Sequence, residues 1–169
     1  MAEINFIQNN EQYASNFGDR GKLALPPSKK LIVVTCMDAR INPAEALGIK
    51  DGEAHVIRNA GGLTKEAVRS VVISQRLLGT KDILVIQHTD CGMLTFTDPS
   101  LREQITQAHS GNDGVTNAVK NFEFGPFDDL DQSIKNNVQF LKEDPLVLTG
   151  GSITGYAYAV ETGKLRRVA

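Results

Sequence analysis

The chain has two cysteines, and each lies in a short segment of ligand-bearing residues: Cys36-Met37-Asp38-Ala39-Arg40 and His88-Thr89-Asp90-Cys91-Gly92. Zinc takes thiolate sulfur and imidazole nitrogen readily, and a site with three protein ligands leaves a fourth position for water or substrate. Cys36, His88 and Cys91 supply such a set. His88 and Cys91 stand three residues apart, close enough to hold one ion from a single turn. Cys36 precedes His88 by 52 residues, a separation no ordinary zinc finger has. Asp38 and Arg40 add a carboxylate and a guanidinium that can pair bidentately, fixing the carboxylate beside the open position. Zinc lowers the pKa of a bound water toward ~7, so a nucleophile becomes available near neutral pH, and such a carboxylate could orient it. Hydration or hydrolysis of a small electrophile is the chemistry implied.

Both segments need elements that bring them together. Leu31-Ile32-Val33-Val34 and Ile83-Leu84-Val85-Ile86 are continuous apolar runs, the pattern of strands in a parallel sheet covered on both faces. Each motif therefore leaves the carboxyl end of a strand, the edge at which open parallel sheets bind ligands. Between them, the pattern predicts a short helix over Pro43 to Leu47, a turn over Gly48 to Gly52 and a strand over Ala54 to Arg58. A turn over Asn59-Ala60-Gly61-Gly62 then leads into a helix over Thr64 to Leu78 with Gly79 as its C-cap, completing a βαβ crossover. Asp98-Pro99 starts a helix toward Ala108, with Asp98 read as N-cap, and residues 110 to 127 read as a loop. Leu130, Ile134, Val138 and Leu141 mark another helix; Leu146-Val147-Leu148 and Ile153 to Val160 read as extended, and a turn at Glu161 to Lys164 enters a last short strand. Residues 3 to 17, with Ile4, Ile7, Tyr13 and Phe17, form a loose helical stripe that could pack on the body or on another subunit. The class is α/β.

Composition narrows the function further. A length of 169 residues with 41% hydrophobic content suits one domain spanning residues 1–169. Eighteen basic and 20 acidic residues give a net charge of −2 with no basic stripe, which argues against nucleic acid. Met1 to Asn10 lacks the pattern of a signal peptide, and no stretch approaches the ~20 apolar residues of a membrane span, so a soluble cytoplasmic protein is expected. Two cysteines do not make a disulfide framework and there is no Cys-x-x-Cys, so a thiol redox role is less well supported than a metal site.

Cys-x-Asp-x-Arg after one strand, Arg58-Asn59-Ala60-Gly61-Gly62 between, and His-x-x-Cys-Gly after the next strand resemble the β-class carbonic anhydrases, from about residue 30 to the C-terminus. The short length and the run from His88 to Phe96 are most similar to the small microbial members. The resemblance implies a parallel four-stranded core flanked by helices, with neighbouring first and third strands, an N-terminal helix and an added C-terminal strand or hairpin. It implies Cys36, His88 and Cys91 as ligands of Zn2+, Asp38 and Arg40 as the catalytic dyad, and Asp38 as fourth ligand in a closed form. It also implies that the Gly92 amide seats bicarbonate. Reversible hydration of carbon dioxide to bicarbonate and a homodimer or homotetramer follow from the same resemblance. Three departures limit it: Ala39 stands where many members have Ser, the chain has no tryptophan for a regulatory bicarbonate pocket, and no residue before 30 matches the polar substrate-binding residue of longer relatives.

Other readings of the same residues stay open. Carbon disulfide or carbonyl sulfide hydrolases share this fold and ligand set, and a zinc module without turnover would keep the ligands, although the Asp38-Arg40 pair argues against that. Gly61 and Gly62 are read as a tight turn, Asp90 as a solvated or capping carboxylate, His55 and His109 as non-ligands, and Tyr156 and Tyr158 as packing on one sheet face.

Overall fold

Leu31–Cys36 forms strand β1, with β2 (Ala54–Asn59) paired on one side and β3 (Asp82–His88) on the other. β4 (Ile153–Ala159) lies beyond β3, and β5 (Lys164–Arg167) closes the edge, giving the order β2-β1-β3-β4-β5. The first four strands are mutually parallel and β5 runs antiparallel to β4, matching the expected mostly parallel core with an added C-terminal strand. This computed structural model describes residues 5–169. Ile4, part of the predicted N-terminal stripe, and Met1 to Glu3 lie outside the described residues.

The helices are α1 (Phe6–Ser15), α2 (Pro43–Leu47), α3 (Thr64–Leu78), α4 (Asp98–Ala108), α5 (Asp113–Val119) and α6 (Leu130–Glu143). α3 and α6 carry the principal core: Ala67, Val71, Val138 and Leu141 pack with Ile32, Val34, Ile83 and Val85 of β1 and β3. Burying an aliphatic side chain of this size is worth about 1.5–3 kcal/mol, so this packing anchors the two central strands firmly. α3 ends where expected, at Gly79 in the left-handed conformation. None of the helices among the described residues is long and apolar enough to cross a membrane.

Three local expectations are corrected. Residues 110–127 are not all loop, because Asn112 accepts a hydrogen bond from the Val115 amide and starts α5. That helix buries no residue, so it offers no apolar stripe to read. Leu146-Val147-Leu148 is not a strand: the Gln75 side chain donates to the Leu148 carbonyl and accepts from its amide, and Asp144 satisfies the amides of Leu146 and Val147. α4 is capped by Thr97, whose hydroxyl and Ser100 form a reciprocal capping box, leaving Asp98 and Pro99 inside the first turn.

Candidate metal centre

β1 and β3 are adjacent and in parallel register, with Thr35 opposite Ile86, so their carboxyl ends finish side by side. Cys36 is the last residue of β1 and His88 the last of β3, and Cys91 follows from the turn after β3. The thiol sulfurs of Cys36 and Cys91 and a ring nitrogen of His88 all lie within 4.8 Å of one another, and all three residues are buried. The two sequence segments therefore meet as the strand pattern predicted.

The surroundings orient these groups. His88 is fully buried; its Nδ1 bonds the Thr89 carbonyl at 2.8 Å, while Nε2 has no hydrogen-bond partner. A buried ring nitrogen left unpartnered costs free energy unless something binds it, and here it faces two sulfurs. Thr89 is itself fixed, since its hydroxyl donates to Glu161 at 2.8 Å, accepts from the Val160 amide, and its own amide donates to Tyr158. Met93, Leu94, Phe96, Phe127, Tyr158 and Val160 pack around the cysteines and shield them from water.

The charge state follows from this crowding. The Cys91 thiol facing Cys36 favours a Cys36 thiolate, as do His88 and nearby backbone amides, against the opposing effect of burial; its pKa is pushed down to about 4. The Cys36 thiolate and burial push the Cys91 thiol up, so Cys91 keeps its proton. Burial disfavours charge on His88, but the Cys36 thiolate, the Thr89 carbonyl and Asp38 outweigh it and move its pKa up. One thiolate, one thiol and a basic imidazole form a donor set that suits zinc once the Cys91 proton is released.

Asp38 and Arg40 stand at the rim. Arg40 Nε donates to Asp38 Oδ1 at 3.0 Å and Nη2 to Oδ2 at 2.8 Å, and the Arg40 backbone amide donates to Oδ1 at 2.9 Å. These bonds hold the Asp38 carboxyl well below the usual carboxylate range, so it is an acceptor throughout the working pH range. Oδ2 lies 3.8 Å from His88 Nε2, beside the three donors. Gly92 is also at this edge: its carbonyl is taken by Thr95, and a side chain at its Cα would meet nothing within 4 Å, so the backbone there borders open space.

Several supporting residues escaped the sequence reading. Arg58 donates to the carbonyls of Cys36 at 3.0 Å and Asp38 at 2.7 Å, which staples the first motif to β2. Asp90, read as a solvated or capping carboxylate, accepts from Arg40 Nη1 at 2.7 Å. Gly61 and Gly62 do form a tight turn, both with positive φ, held by the Asn59 side chain bridging the Leu63 amide and carbonyl. Gly62 also passes within contact of the β1 and β3 backbones. The Arg58 and Asp90 contacts join residues far apart in sequence, and no local pattern announces them. His55 bonds Ser74 Oγ and His109 the Ile105 carbonyl. Tyr158 packs against the cysteine cluster, on the same sheet face as Tyr156.

Comparison with known proteins agrees with this geometry. A carbonic anhydrase family profile matches residues 31–165. "Beta-carbonic anhydrase 1" of Mycobacterium tuberculosis is 42% identical over 164 residues, covering 96% of this chain and 95% of that protein. "Carbon disulfide hydrolase" of Saccharolobus solfataricus is 37% identical over 172 residues, covering 85% of this chain and 79% of that one. Among solved structures, a carbonic anhydrase from Glaciozyma antarctica matches with a TM-score of 0.93 at 48% identity, covering 99% of this chain and 98% of its own.

Proposed function

The chain belongs to the β-class carbonic anhydrase family, and we propose that it catalyses the zinc-dependent reversible hydration of carbon dioxide to bicarbonate and a proton. The observation that carries the reading is the fully buried, unpartnered His88 Nε2 facing the sulfurs of Cys36 and Cys91, with the Arg40-bound carboxylate of Asp38 beside it. Cys36, His88 and Cys91 would hold the zinc, whose Lewis acidity makes water nucleophilic near neutral pH.

The protein's own groups do the rest. Asp38, kept ionised by Arg40, accepts a hydrogen bond from the attacking water and aims an oxygen lone pair at the carbon of carbon dioxide. Because its pKa is so low, Asp38 orients the water and does not store its proton, which leaves to buffer. The Gly92 amide, next to open space, is assigned to seating the bicarbonate oxygens. In a closed form Asp38 would leave Arg40 and become the fourth ligand; in the arrangement seen here it is held on Arg40.

A homodimer or homotetramer fits the N-terminal arm. α1 has no buried residue, and Phe6, Ile7 and Leu25 are 74%, 72% and 80% exposed, which leaves large apolar side chains for a second copy to cover. We read residues 1–169 as one zinc-binding domain, and its two free cysteines suit a reducing, cytoplasmic setting. Carbon disulfide hydrolysis is the second reading, favoured by the hydrolase relative. Stopped-flow hydration of carbon dioxide by zinc-loaded and metal-free protein, with carbon disulfide assayed in parallel, separates them. Zinc-dependent bicarbonate formation supports the first reading; turnover of carbon disulfide alone overturns it in favour of the second. Stoichiometric zinc without either activity rejects both.

A further inference from the structure

Arg40 is gripped from two directions. One edge of its guanidinium binds Asp38, through Nε to Oδ1 at 3.0 Å and Nη2 to Oδ2 at 2.8 Å. The other edge binds Asp90 twice, through Nη1 to the carboxylate Oδ2 at 2.7 Å and Nη2 to the backbone carbonyl at 2.9 Å. Asp90 can present both groups at once because its backbone is left-handed, with φ of 51°, between the buried anchors His88 and Cys91. Aspartate tolerates that conformation better than most residues, and it has the short carboxylate that reaches back to Arg40.

We propose that Asp90 is a positioning residue for the reaction: it pins the outer edge of the Arg40 guanidinium, and Arg40 thereby holds the Asp38 carboxylate at a fixed place beside the metal donors. The inference rests on the carbonic anhydrase reading for its consequence, though not for its geometry. An exposed ion pair alone is worth little, and Asp90 is largely exposed. The bidentate grip changes the matter, because Arg40 itself is half-exposed and without Asp90 its guanidinium could swing toward solvent and release Asp38 Oδ2, the oxygen beside His88, leaving only Oδ1 on the Arg40 backbone amide. A carboxylate displaced by a fraction of an ångström aims the water poorly while leaving carbon dioxide binding untouched.

The test compares zinc-loaded wild type with Asp90→Gly and Asp90→Asn. Glycine adopts the left-handed backbone freely, so Asp90→Gly removes the side chain without adding strain. Asparagine keeps an oxygen acceptor but no charge, and serves if the glycine variant folds poorly. Nitrogen-15 NMR of the arginine side chains, with Arg40 assigned through Arg40→Lys, reads guanidinium rotation without reference to turnover. Wild type should give separate, slowly exchanging Nη signals for Arg40, and these should collapse to an average in Asp90→Gly. In carbon dioxide hydration, kcat should fall about 3- to 10-fold in Asp90→Gly with KM unchanged, and by less in Asp90→Asn. Unaltered Arg40 signals in both variants overturn the proposal, whatever the activity. Collapsed signals with unchanged kcat in an active enzyme overturn the positioning role. Should wild type hydrate no carbon dioxide, the carbonic anhydrase reading fails while the NMR comparison still decides whether Asp90 pins Arg40.

Discussion

Replacing Gly62 by alanine should damage both stability and the metal centre, by an amount the structure allows to be divided into parts. Gly62 has φ of 64°, and a Cβ there would lie 3.0 Å from the Cys36 amide nitrogen, the Ile86 carbonyl oxygen and the Thr35 carbonyl carbon. Gly48, the C-cap of α2, has nearly the same φ of 63° but nothing within 4 Å of its would-be Cβ. Gly48→Ala therefore costs only the left-handed conformation, about 1–2 kcal/mol. Gly62→Ala costs that plus a clash with paired strand backbone that cannot give way without parting β1 from β3, about 1–3 kcal/mol more. At this chain length each kcal/mol moves Tm by about 2–4 °C, so Gly62→Ala should melt about 2–12 °C below Gly48→Ala. Scanning calorimetry on the metal-free proteins measures the difference. Because the clash falls on the Cys36 amide, competitive zinc titration should also find affinity about 10-fold or more weaker in Gly62→Ala and unchanged in Gly48→Ala. Equal melting temperatures for the two variants would refute the close-approach argument.

Other outcomes follow from the same geometry. Cys91→Ala should lose zinc, its content by elemental analysis falling from near one per chain to near none. Asp38→Asn should keep zinc yet lower kcat by about 100-fold or more, and full activity in the purified variant would remove Asp38 from the mechanism. Zinc affinity should rise with pH: Cys91 is pushed above the ordinary thiol range and stays protonated in metal-free protein, so each ion bound must expel that proton, and alkaline conditions favour its release. Calorimetric titration in buffers of different ionisation enthalpy should find about one proton or more released per zinc near neutrality, and none released would contradict the assigned charge states.

The central strands and the clustering of Cys36, His88 and Cys91 were legible because both signals are dense. Leu31 to Val34 and Ile83 to Ile86 are uninterrupted apolar runs, and each ends in residues whose chemistry has few other uses. What stayed hidden depends on contacts across the fold. α5 is made by a cap and buries nothing, and Leu146 to Leu148 has the composition of a strand but its hydrogen bonds go to a glutamine side chain on α3, from Leu148, and to Asp144, from Leu146 and Val147. Arg58 and Asp90 act through partners 22 and 50 residues away, a relation that only the sheet order reveals. The turn reading of Gly61-Gly62 was right but incomplete, since the need for glycine at 62 comes from backbone on two other strands.

The adjacency of β1 and β3 has a consequence for how the protein is assembled. Cys36 and the His88-Cys91 turn are brought together only when these strands pair, after β2 and α3 have been laid down between them in the chain. An unfolded or nascent chain offers an ion just the two local donors of His88 and Cys91, so strong capture must wait for tertiary closure. Once captured, the ion ties off a loop of more than fifty residues. By the chain-entropy arithmetic used for disulfide cross-links, such a tie is worth on the order of 4 kcal/mol against unfolding. On the zinc reading, a bound ion would add to the pairing of β1 and β3 that the core already holds, and chelation should loosen the molecule first at the carboxyl ends of these strands.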